Sequence, residues 1–144
     1  MSKKYVKISW TENTVPISDK FNDAYYSLEN GLLETNYVFI DGNRLHERLN
    51  HGFQIAELGF GTGLNFLASC AAWNKTSRTG KFNFVSFEGY PMSPLDLQKA
   101  HLPFPELESI HTFFRINGEK LWQVILWISA LQISRYSLGI FRKH

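Results

Sequence analysis

From Phe53 to Leu58 the chain is a short, mainly apolar run of strand type, and from Leu64 through Trp73 its spacing predicts a helix. Between the two, Gly59-Phe60-Gly61-Thr62-Gly63 alternates glycine with one other residue. Phe82 to Phe87 alternates large apolar with smaller or polar side chains and predicts a second strand, ending at Glu88-Gly89-Tyr90-Pro91. Towards the amino terminus, Val6, Ile8 and Trp10 alternate with Lys7 and Ser9, the mark of a half-buried strand, and the polar stretch from Thr11 to Asp19 reads as a connection. The aromatic segment Phe21 to Ser27 has no clean period and suits a helix or an irregular lid. Tyr37 to Ile40 reads as a short strand before a turn at Asp41-Gly42-Asn43, and Leu45 and Leu49, four apart, as a short helix. Ser93-Pro94 is a capped helix start, with Leu95 and Leu102 on one face and Pro103 and Pro105 ending it. Glu106 to His111 is expected to begin another short helix, and Thr112 to Trp122, turning at Asn117-Gly118, is expected to form a hairpin.

Strand, glycine turn and helix in succession make a nucleotide-type cradle. Alternate glycines allow torsions that a Cβ forbids and let a ligand lie against the main chain, while the helix start contributes N–H groups and a partial positive charge. A dinucleotide fingerprint needs G-x-G-x-x-G, but the third glycine here comes one position early, at Gly63. With Glu57 two residues before the first glycine, the pattern E-x-G-x-G-x-G resembles the first motif of class I S-adenosylmethionine-dependent methyltransferases. A carboxylate at the mouth of the loop suits a cofactor that carries an ammonium and a sulfonium, and would repel a pyrophosphate. Glu88, about one βαβ unit further on, falls where an open α/β sheet places the acid that accepts ribose hydroxyls.

The chain has 144 residues, 44% hydrophobic and 15% aromatic, enough to bury one core and far from a disordered composition. A net charge of +2 is compatible with an RNA substrate without arguing for one. The lone Cys70 excludes an internal disulfide and suits a reducing cytosol, no signal-type apolar stretch follows Met1 to Tyr5, and a cytoplasmic location is expected. His101 and His111 have no Cys or His at ligand spacing, so no metal is expected.

Several blocks in order resemble the MnmC-type methyltransferase domain: Phe21 to Ser27, Gly31 with Glu34-Thr35, Tyr37 to Ile40, Gly42 to Leu45, Ala56 to Phe66, and Ser86 to Met92. The resemblance covers about residues 18 to 122. It implies an α/β, Rossmann-like class I methyltransferase fold with added N-terminal strands, and S-adenosyl-L-methionine as cofactor. It also implies tRNA as substrate, the aminomethyl group of a wobble 2-thiouridine becoming methylaminomethyl. In that family an oxidoreductase domain is often fused, so the resemblance implies an oxidoreductase partner supplied by another chain. Carried onto this sequence, Glu57, Gly59, Phe60, Gly61, Thr62, Gly63, Asn65 and Glu88 are the expected cofactor residues, and Asp23, Tyr25 and Tyr26 the expected substrate entrance. Asn65 is equally readable as a helix-capping amide.

Residues 1–122 therefore read as the N-terminal part of a methyltransferase domain, and 123–144 as a tail outside the resemblance. The tail contains no Asp or Glu, and the family's later acidic Gly-Asp step and Asp-Gly-Phe-Ala-Pro segment do not occur. A shifted reading frame would produce such a tail. On this reading the fold is incomplete and the chain alone is catalytically inactive. The alternatives are a noncatalytic cofactor-binding remnant and, with no second glycine fingerprint to support it, an oxidoreductase.

Overall fold

The computed structural model describes residues 5–110 apart from positions 13, 28 and 109. The hairpin expected at Thr112 to Trp122, the 123–144 tail and part of the expected helix from Glu106 lie outside these residues. Two sheets organise the rest. The first is antiparallel, β1 (Ile8–Trp10), β2 (Pro16–Ser18) and β3 (Asp23–Ala24), with β2 in the middle. The second is a parallel pair, β4 (Gln54–Leu58) and β5 (Asn83–Phe87), in register from Gln54 opposite Asn83 to Leu58 opposite Phe87.

Helix α1 (Gly31–Thr35) starts where the Asn30 side chain accepts from the Leu33 amide, and it runs directly into a π-helical turn at Asn36–Asp41. After α2 (Leu45–Arg48), the Arg78 guanidinium reaches back to the carbonyls of Glu47 and Leu49, covering acceptors that a helix end leaves bare. Helix α3 (Leu64–Lys75) follows the glycine loop and connects β4 to β5. Helix α4 (Pro94–His101) opens with Ser93 Oγ accepting from the Asp96 amide, and a 3-10 turn at Pro105–Leu107 follows.

The core is built around α3, which packs on α1, the π-helical turn and α2 through Leu32, Ile40, Leu45 and Leu49, and against one face of the parallel pair. Ile55 and Phe84 are cross-strand neighbours on that face, as are Glu57 and Ser86, and all four are buried. Phe66 meets Phe84 edge to face at 5.1 Å, and Trp73 packs on Phe82 at 5.6 Å. The opposite face carries Leu58, which is 88% exposed, and its neighbour Phe87. One structural consequence of the strict period of two is that Glu57 is carried to the apolar side with Ile55.

Three sequence expectations need correction. The stretch Thr11 to Asp19 holds β2 as well as a connection. Pro16 stands at the strand's first residue, where a missing N–H is tolerated, and its carbonyl accepts from the Tyr25 amide. Tyr37 to Ile40 is helical, not extended: Gly42 N–H donates to Tyr37 O, Ile40 is fully buried, and Tyr37 is 76% exposed. Packing of one helical face outweighs the β propensity of Tyr, Val, Phe and Ile. The segment Phe21 to Ser27 is neither helix nor wholly irregular, since Asp23 and Ala24 add the third strand. On α4, Leu95 and Leu102 do share a face, but it is the exposed one. Leu97, Ala100 and His101 supply the buried side.

Candidate cofactor site and the relatives of the chain

The carboxyl ends of β4 and β5 bring together the residues that the sequence placed far apart. Gly59 donates its amide to Phe87 O at 2.6 Å, which locks the loop start to the end of β5. Gly61 donates its amide to Glu88 Oε2 at 2.9 Å, and the Tyr90 amide donates to Glu88 Oε1 at 2.7 Å. Glycines 59, 61 and 63 all have positive φ, at 86°, 54° and 74°. A Cβ at Gly59 would project into open space, one at Gly61 would lie 3.3 Å from Tyr25 Cδ1, and one at Gly63 would collide with the Phe60 ring. Gly59 thus keeps its part of the loop bare, Gly61 admits the Tyr25 ring close against the backbone, and Gly63 admits a core side chain beneath it.

Glu57 is buried beside this loop. Its Oε1 accepts from Asn65 Nδ2 at 3.0 Å, and its Oε2 has no hydrogen-bond partner. Burial pushes the carboxyl above its ordinary range. The Asn65 amide and the nearby Ser86 hydroxyl oppose this, and the Glu88 carboxylate adds a smaller push upward. Ser86 Oγ stands close enough to influence Glu57 yet makes no well-formed hydrogen bond to it. Asn65 does not cap α3, because the residue at the cap is Gly63 and no side chain bonds there. It fixes the rotamer of Glu57 instead.

A cleft of about 510 Å³ adjoins the loop, lined by Asp23, Tyr25, Tyr26, Glu34, Val38 and Asn65 among others. Tyr25 is half-buried. Desolvation raises its hydroxyl pKa, with an opposing pull from Ser18 and a smaller push from Glu88. Tyr26 lies deeper, donating to Ala100 O at 2.9 Å and meeting Phe104 edge to face at 5.3 Å, and burial pushes its pKa up to about 12. Asp23 is exposed, its Oδ1 accepting from the Ala24 amide. The side chains of Phe60 and Thr62 point into the core, so of these two residues only the backbone borders the loop's open side.

Two contributors have no sequence signal strong enough to find them. Ser86 becomes a neighbour of Glu57 only through the parallel register. His101 Nε2 lies 2.6 Å from Thr62 O, a contact spanning 39 residues that no local pattern encodes. Among the described residues, no three His, Cys, Asp or Glu side chains gather as a cation site, and no helix is long and apolar enough to cross a membrane.

Parallel strands joined through a glycine turn and a helix, with an acid at the end of each strand, define a Rossmann-like fold of the class I methyltransferase type, of which the described residues supply part. The crystal structure of MNMC2 from Aquifex aeolicus has this fold. It superposes with a TM-score of 0.53 over 78% of this chain and 38% of its own, at 19% identity. No family model matches the chain. The chain is nevertheless MnmC-like by its relatives. It is 45% identical over 119 residues to the tRNA 5-methylaminomethyl-2-thiouridine biosynthesis bifunctional protein MnmC of Leptospira borgpetersenii, a match covering 79% of this chain and 18% of that protein. To the protein of the same name from Vibrio cholerae it is 43% identical over 139 residues, covering 87% of this chain and 21% of the relative. The chain thus spans about a fifth of the length of these curated relatives.

Proposed function

We propose that the chain holds S-adenosyl-L-methionine at the Gly59–Gly63 loop, as the cofactor-binding part of a methyltransferase acting on a tRNA wobble uridine. The observation that carries this reading is the meeting of Glu88 with the loop. A carboxylate 27 residues away accepts the Gly61 amide at 2.9 Å, so an acceptor for ribose hydroxyls stands at the bare backbone. The partnerless Oε2 of Glu57 fits the same ligand, because a buried carboxylate oxygen with no donor suits an ammonium.

In this reading Glu57 orients the amino group of the methionine moiety, with Asn65 setting its rotamer, and the glycine backbone lies along the ligand. Glu88 keeps its two backbone donors and accepts the ribose hydroxyls on the remaining lone pairs of its carboxylate. When bound, the cofactor would supply an electrophilic methyl group to a neutral amine, with S-adenosylhomocysteine as the leaving group and the amine's proton passing to solvent. The cleft beside Tyr25 and Asn65, with Asp23 at its margin, is the approach for that amine. Desolvation of the cleft and fixed orientation are what the protein contributes there. A cytoplasmic location goes with a tRNA substrate.

Calorimetric titration of the chain with S-adenosylmethionine, S-adenosylhomocysteine and NAD tests the assignment. Binding of the first two without NAD is the expected result, and binding of NAD alone would remove the reading. Methyl transfer by the 144-residue chain alone is expected to be absent. Robust labelling of tRNA carrying 5-aminomethyl-2-thiouridine by a radiolabelled donor would refute that expectation.

A further inference from the structure

Beside the loop and its cleft, the surface carries an arrangement that burial does not explain. Phe21 is 58% exposed and Tyr90 46%, yet their rings meet edge to face at 5.4 Å. The Lys20 ammonium lies 3.5 Å from the centre of the Tyr90 ring and 5.4 Å from that of Phe21. The cluster adjoins the site from two directions. Tyr90 follows Glu88 by two residues and bonds to its carboxylate, and Phe21 lies on the turn leading to Asp23 and Tyr25 of the cleft.

We propose that Lys20, Phe21 and Tyr90 form a stacking rim for single-stranded RNA, the rings taking a nucleobase and the ammonium its flanking phosphate. Its place beside the reacting group rests on the methyltransferase reading above. Exposed aromatic rings bind bases of any sequence through their faces, and a lysine held among them meets the backbone charge. The adenine of the cofactor is the competing occupant, and two observations disfavour it. S-adenosylmethionine has no phosphate for Lys20 to meet and carries positive charge of its own. These rings also stand largely in water, whereas a small-molecule pocket encloses most of its ligand. The carboxylates of Asp19, Asp23 and Glu88 lie close in sequence or space, so the rim is no basic patch and stacking must supply most of the affinity.

The test uses the full chain and a fluorescein-labelled anticodon stem-loop RNA, with a blunt stem duplex as control and S-adenosylhomocysteine titrated in parallel. Phe21→Ala and Tyr90→Ala should each weaken stem-loop binding by about tenfold, and Phe21→Trp should preserve it. Lys20→Gln should lower the salt dependence by about one phosphate contact. Affinity for S-adenosylhomocysteine should change less than about twofold in all four variants. Unchanged RNA affinity in both alanine variants overturns the proposal, as does an unmodified chain that binds the stem-loop no better than the duplex. Equal loss of S-adenosylhomocysteine affinity also overturns it, making the rings an adenine platform. Stem-loop binding with the expected losses, in a chain that binds no S-adenosylhomocysteine, keeps the rim and removes the methyltransferase reading instead. Unaltered thermal melting of the variants, expected for exposed positions, separates these outcomes from misfolding.

Discussion

The glycine loop and the aromatic rim lie on either side of Glu88 and are held in contrasting ways. Gly59 N–H, Gly61 N–H and Thr62 O are each fixed by a partner from another part of the chain, at 2.6, 2.9 and 2.6 Å. Lys20, Phe21 and Tyr90 hold one another through ring faces and edges and remain open to solvent. A backbone surface set before the ligand arrives suits a small molecule of constant shape, because little ordering is left for binding to oppose. Exposed rings with a movable ammonium suit a larger partner whose bases differ in size.

Substitutions that act on one region and spare the other measure this contrast. The largest effect is expected from Gly61→Val: the residue has φ 54° and its Cβ would sit 3.3 Å from Tyr25, so a branched side chain both strains the turn and crowds the space between the loop and the Tyr25 ring. Affinity for S-adenosylhomocysteine should fall by about a hundredfold or more, since about 3 kcal/mol of contact and strain is at stake. Stem-loop RNA binding should persist. Near-normal calorimetric affinity in a folded Gly61→Val chain would show that the ligand does not lie on this loop.

Glu88→Ala comes next. Loss of charge-assisted hydrogen bonds to ribose hydroxyls should weaken S-adenosylhomocysteine by at least about tenfold. Because Glu88 also accepts the Tyr90 amide, this variant is the one expected to loosen the rim, with a smaller fall in RNA affinity. A change below about twofold in the nucleoside affinity would return Glu88 to a purely structural role as anchor of the Gly61 amide.

The smallest effect is one of pH. Burial raises the Glu57 carboxyl pKa, so the folded chain keeps that proton more tightly than the unfolded chain does. Stability from this group is therefore greatest at low pH and declines as pH climbs from the ordinary Glu range through the raised value. A bound ammonium favours the ionised form, so affinity for S-adenosylhomocysteine should rise over the same window, by at most about tenfold per pH unit for one titrating group. Glu57→Gln should flatten that rise. A wild-type affinity that falls as pH increases there would exclude Glu57 from contact with the ammonium.

The contrast between the regions also explains what could be read from sequence. The β4, loop and α3 succession was legible because the period of two, the alternate glycines and the helical spacing are local signals within about two dozen residues. Glu57 was placed by standing two residues before the first glycine and Glu88 by the spacing of a βαβ unit, and in the structure Glu57 bonds Asn65 after the loop and Glu88 bonds Gly61 within it. By contrast, β2 depends on pairing with Trp10 on one side and Ala24 on the other, and its Pro16 argues locally for a connection. The π-helical turn at Asn36–Asp41 was hidden because its residues favour strands, and only the burial of Ile40 decides the outcome. Tyr25 was expected at a substrate entrance, and its proximity to Gly61 is visible only once β3 places it there.

The contact between Thr62 O and His101 Nε2 carries the loop's condition beyond the loop. His101 is the last residue of α4, the neighbouring Ala100 carbonyl receives the Tyr26 hydroxyl, and the Leu102 amide closes the helix on Lys99 O. A ligand that steadies Gly59 to Gly63 therefore also steadies the end of a helix more than thirty residues later that it never touches. Slowed deuterium uptake at Lys99 to Leu102 on addition of S-adenosylhomocysteine is the expected sign, and it makes that helix end a reporter of occupancy that can be read without any tRNA.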